Sequence, residues 1–151
     1  MDEYLFKQSV DMDSHGQLSS IFYYLEKKYG KKEAITIVED ITREIYRPLI
    51  EKIKKNGLVE FEKHFKQVMA LEKGIYNINR DNNTLEIIIE KCPAIGPARE
   101  HMEKRNMKMP DSFCSLTTGV VNTIIAREAN YRFSLKHDQK KGKCTQKFWK
   151  D

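Results

Sequence analysis

Apolar residues recur every three to four positions through the first half of the chain and every second position through much of the second half, so helices are expected first and strands later. From about Ser14 to Tyr29, Leu18, Ile21, Phe22 and Leu25 share one helical face, and Gly30 suits a C-terminal cap. From Lys32, the residues Ile35, Val38, Ile41, Ile45, Leu49 and Ile53 define a second helix that ends at Asn56-Gly57. Pro48 falls inside it. A proline there removes a backbone donor and crowds the preceding turn, which predicts a kink or break near Tyr46-Arg47. A third helix is expected over Leu58 to Glu72, with the stripe Leu58, Phe61, Phe65, Val68, Met69 and Leu71 and with Gly74 as its terminator.

The period then changes. Ile75 to Ile78 and Thr84 to Ile89 flank Arg80-Asp81-Asn82-Asn83, a cluster suited to a turn, which predicts a β-hairpin. Pro93, Gly96 and Pro97 stiffen the following loop, and a short helix is expected over Ala98 to Arg105. After the linker Met107 to Pro110, Asp111 or Ser112 is placed to cap a helix with the buried face Phe113, Leu116, Val120, Val121, Ile124 and Ile125. Tyr131, Phe133 and Leu135 alternate with polar residues, and a further strand runs from Cys144 to Trp149 beyond a lysine-rich turn. The pattern predicts an α+β domain in which N-terminal helices pack against a small antiparallel sheet made of two β-hairpins.

Composition narrows the class. A chain of 151 residues suits one domain spanning residues 1–151. With 40% hydrophobic and 32% charged residues it reads as globular, and no apolar run approaches the roughly 20 residues that span a bilayer. The first sixteen residues carry acidic side chains and no long apolar stretch, so neither a secretory signal nor a transit peptide is expected and a cytoplasmic location follows. The net charge is +5, and part of the excess is local, in Lys136, Lys140, Lys141, Lys143, Lys147 and Lys150. No helix-turn-helix, RNA-recognition or zinc-finger pattern accompanies these lysines, so nucleic-acid binding is not expected and a solvated hairpin tip is.

Candidate chemistry rests on Cys92, Cys114 and Cys144, each at the end of a predicted element. An odd number of thiols in a reducing compartment argues against a disulfide framework. Cys114 lies in the first turn of its helix, where the helix dipole favours a thiolate, and this makes it the candidate nucleophile. Two alternatives stay open: three packing thiols, or a shared site in which Cys92, Cys114 and Cys144 hold zinc or an iron–sulfur cluster, although no CxxC pair supports the latter. Arg99 and Arg127 are candidates to hold a substrate carboxylate in bidentate fashion, with surface ion pairs as the alternative. Thr118, one turn after Cys114, offers a hydroxyl to a ligand, and His137 on the penultimate strand is placed across the hairpin from Cys144. Exposed apolar positions on the helical half would also suit a homodimer face.

The stretch Ile87-Ile88-Ile89-Glu90-Lys91-Cys92-Pro93, the Phe113-Cys114 helix start and the ending Gly142-Lys143-Cys144-Thr145-Gln146-Lys147-Phe148 resemble the L-2-amino-thiazoline-4-carboxylic acid hydrolase-like family. The Gly-x-Cys-x-x-x-Phe ending is also similar to that of vinyl-reductase-type small-molecule-binding domains. The first resemblance implies a hydrolase of non-peptide C–N or C–S bonds acting on a small, sulfur-containing carboxylate, with the family's cysteine pattern falling on Cys92, Cys114 and Cys144. The second implies a non-catalytic module for a small molecule, metal or cluster. Both imply an α+β fold with a ligand pocket.

Overall fold

The computed structural model describes residues 17–150. The helix start expected at Ser14 and the reading of the first sixteen residues lie outside that range. Helix α1 occupies residues 17–29, and Gly30 ends it by adopting φ +82°, a left-handed value that side-chain-bearing residues resist. The Gly30 N–H donates to Glu26 O and its carbonyl accepts from Ala34 N, so one residue closes α1 and opens α2 (Lys31–Asn56).

Helix α2 is unbroken through Pro48, contrary to the expected break. Pro48 is exposed, while Thr42 on one side of it and Ile50 and Ile53 on the other are buried, so packing holds both halves in one helix despite the missing donor. Helix α3 is Val59–Glu72, and Lys73, not Gly74, takes the left-handed conformation at its end.

The sheet consists of β1 (Ile75–Arg80), β2 (Thr84–Lys91), β3 (Arg132–Asp138) and β4 (Lys143–Trp149), antiparallel throughout in the order β1-β2-β4-β3. Two hairpins therefore lie side by side, joined by pairing of β2 with β4. Register sets the inner face: Leu85 faces Phe148, Ile87 faces Gln146 and Ile89 faces Cys144, while Phe133 and Leu135 of β3 oppose Phe148 and Gln146. The alternate positions, including Glu86, Lys147, Ser134 and Lys136, lie on the other face.

Helix α4 is Ile95–Glu103, starting earlier than expected because Pro97 falls in its first turn, where no intrahelical donor is lost. The next helix begins at Phe113, widens into a π-type stretch at Ser115–Val120, and continues as α5 (Val121–Glu128). Thr117 and Thr123 donate their hydroxyls to the carbonyls of Phe113 and Gly119, both at 2.7 Å, which is the back-bonding that perturbs a regular helix. No helix among the described residues is long and apolar enough to cross a membrane.

The buried residues form two clusters. One joins Ile50, Ile53, Leu58 and Phe61 to Leu85, Ile87, Phe148 and Ile125; the other joins Phe22 and Val38 to Ile95, Ala98, Phe113 and Leu116. Helices on one side of one antiparallel sheet are the expected α+β arrangement. The division of the core in two is what creates the site.

Candidate functional site

The three cysteines approach one another without forming a ligand set. Cys144 sits on β4 opposite Ile89, and Cys92 follows β2, its N–H donating to Gly142 O at 2.8 Å. Gly142 adopts φ +66°, which turns the second hairpin so that its carbonyl reaches Cys92. The Cys92 sulfur accepts from the N–H groups of Ala94 and Ile95 as the chain enters α4, and Cys144 Sγ accepts from Gln146 Nε2 at 3.7 Å. All three are free thiols, and no group of three or more His, Cys, Asp or Glu side chains among the described residues is arranged to hold a metal ion.

Cys114 departs from expectation in its electrostatics. Burial pushes its thiol up to about 12, and proximity to Cys92 and Cys144 opposes ionisation further. Burial likewise raises Cys92 and Cys144. The helix-end argument fails here because desolvation outweighs a partial dipole charge. It is weakened further because the Cys114 N–H already donates to Gln139 Oε1 at 3.2 Å. That same Gln139 donates Nε2–H to Pro110 O at 2.8 Å, so a side chain from the β3–β4 turn caps this helix. Ser112, one of the two expected caps, has a buried hydroxyl with no hydrogen-bond partner among the described residues.

The two candidate arginines lie apart from the thiols and make contacts of their own. Arg99 donates through Nη2 to the carbonyls of Gln139 and Lys140, at 2.9 and 3.2 Å, tying α4 to the β3–β4 turn. Arg127 is exposed and lies 3.7 Å from the Glu128 carboxylate. His137 opposes Cys144 in register, as expected, but its ring sits 3.4 Å from Ser115 Oγ in an exposed cleft. The neighbouring Asp138 carboxylate accepts instead from Lys141 N.

Of the candidate residues, Thr118 and Cys92 line a mainly apolar cavity, whereas Arg99 lines a separate, more polar cleft of about 600 Å³ with Lys108, Asp111 and His137, and Cys114, Cys144 and Arg127 line neither. The apolar cavity, of about 510 Å³, lies between the two core clusters, bounded by α1, α2, α3, the π-type stretch with α5, and the inner face of the sheet. Its surface is mainly apolar, with Phe22, Phe61, Phe65 and Phe113 prominent. Leu18, Ile21 and Ile41 line it while being 37%, 53% and 51% exposed, which places an open mouth between α1 and α2.

Few polar groups interrupt the apolar wall. Asn122 and Gln146, 8% and 3% exposed, line it and are joined by an Nδ2–H···Oε1 bond of 2.8 Å. On the opposite wall His64 and Tyr46 stack edge to face at 5.9 Å between centroids, beside Glu72. Burial lowers the His64 pKa, favouring the neutral ring, and burial with the nearby Glu72 charge raises that of Tyr46.

These polar residues were not singled out from the sequence, although the signal was present. Phe61, His64, Phe65, Val68, Met69 and Glu72 recur at helical spacing along α3, so two ionisable residues occupy positions on its apolar stripe. Asn122 interrupts Val120-Val121 and Ile124-Ile125 on the buried face of α5, and Gln146 alternates inward between Cys144 and Phe148. Compared with models of known protein families and with curated proteins, the chain matches none.

Proposed function

We propose that the protein binds a small, largely apolar molecule in the cavity between its helices and its sheet. The observation that carries this reading is a mostly apolar space of about 510 Å³ with an open mouth and a few inward polar groups. Ligand pockets fall in the range of roughly 300–1,000 Å³ and combine apolar walls with sparse orienting groups. Asn122 and Thr118 supply hydrogen-bonding capacity on one side, and Tyr46 and His64 on the other.

Hydrolysis of a thiazoline carboxylate, the activity implied by the resemblance, is the less supported reading. No arginine or lysine among the described residues lines the cavity to hold a carboxylate, and Cys92, the cysteine that reaches it, is held in its thiol form by burial. A binding module without catalysis uses every feature of the cavity and needs no activated nucleophile.

Titration with the neutral, environment-sensitive fluorophore phenylnaphthylamine tests the proposal. Saturable one-site binding is expected, with affinity reduced at least about tenfold by Val121→Phe, which fills the cavity from α5. Thr118→Phe supplies an independent filling variant, and thermal unfolding establishes that each variant is folded. Absence of saturable binding, or equal binding by folded filled variants, would refute the reading.

A further inference from the structure

The cavity also carries a statement about the charge of its ligand. The chain holds 27 lysines and arginines against 22 acidic residues, yet none of those cations lines the cavity among the described residues. The acidic residue that does line it is Glu72, the last residue of α3. It stands at the helix end that carries partial negative charge, and the exposed Lys73 follows it as the C-terminal cap. A protein this rich in cations had ample means to build an anion site here and placed a carboxylate instead.

On the same wall, Tyr46 is close enough to Glu72 to feel its charge, and its ring meets that of His64 at 5.9 Å between centroids. Aromatic faces attract cations through their quadrupole, and the attraction grows as water is excluded. An anion entering this space would lose its hydration, meet a carboxylate and find no cationic partner.

Resting on the cavity reading above, we infer that the cavity selects for an apolar molecule bearing an ammonium group and excludes the matching carboxylate. The apolar body lies among Phe22, Phe61 and Phe113, and the ammonium group points to Glu72. Glu72 need not be unpartnered in the ligand-free protein, since an entering ammonium group can replace an existing contact. Neutral molecules of the same shape enter as well, without the contribution of the carboxylate.

Competition against phenylnaphthylamine with naphthylethylamine, naphthylethanol and naphthylacetate at neutral pH tests the inference. The amine is expected to bind tightest and the carboxylate weakest, with the two separated on the order of ten- to a hundredfold, the range of a charge-assisted hydrogen bond. Glu72→Gln, which keeps size and shape, is expected to bring amine and alcohol to within about twofold while the fluorophore still binds. If the fluorophore binds but the carboxylate competes as well as the amine, or the Glu72→Gln protein keeps the amine preference, charge selection is overturned and the cavity reading stands. If the fluorophore itself fails to bind, both fall together.

Discussion

Cys114 offers the sharpest test of the site electrostatics, because its position at a helix start and its burial predict opposite behaviour. Burial moves its thiol from an ordinary value of 9.0 to about 12. At neutral pH that difference leaves roughly a thousandfold less thiolate than an ordinary cysteine has. A more basic thiolate is a better nucleophile, and a Brønsted slope of about 0.4–0.5 recovers about fifteen- to thirtyfold. The net expectation is labelling about thirty- to sixtyfold slower than for free cysteine, before any steric protection is added. Iodoacetamide labelling at neutral pH, followed by peptide mass spectrometry and compared with N-acetylcysteine and with the urea-unfolded chain, measures this. Cys114 labelling as fast as free cysteine would refute the desolvation argument and restore the nucleophile. The same shift has a stability consequence with a definite sign. The folded state holds its proton more tightly, so the contribution is full below about pH 9 and is lost as pH rises from there towards about 12. Cys114→Ala is expected to lessen the alkaline decline in unfolding free energy.

Three further outcomes are expected. Asn122→Leu removes the donor to buried Gln146 and is expected to cost about 1–3 kcal/mol in urea unfolding, with the double variant carrying Gln146→Leu recovering part of the loss; equal stability of Asn122→Leu would refute the pairing. His64 has its pKa lowered by burial, so it stabilises the fold above the usual histidine range and loses that contribution as pH falls through it. His64→Phe is expected to flatten the fall in melting temperature on mild acidification, and an unchanged acid slope would count against this placement of the ring. Gln139→Ala removes the bonds to Cys114 N and Pro110 O and is expected to cost about 1–2 kcal/mol, with faster amide hydrogen exchange localised to the Phe113–Leu116 turn; global loss without local exchange would argue against capping.

Periodicity was enough to place most elements, because a buried face needs apolar residues at a spacing that the backbone geometry dictates. The alternation in β2 and β4 and the turn residues between strands were sufficient to pair each hairpin. Pro48 shows where local reasoning stops: a proline penalty is a few kcal/mol, and burial of Thr42, Ile50 and Ile53 on either side of it outweighs that. Arg99 shows another limit. Its partners are backbone carbonyls forty residues away, and carbonyls leave no signature in sequence.

The sequence by itself determined an α+β chain of N-terminal helices packed with two hairpins, because hydrophobic period is a local property that each element carries alone. Only the tertiary structure decided that the core divides in two around a cavity, that Glu72, His64 and Asn122 line it, and that Cys114 lies outside it. Pockets and pKa values depend on which faces meet and how much water they exclude, and those quantities exist only once distant segments have packed.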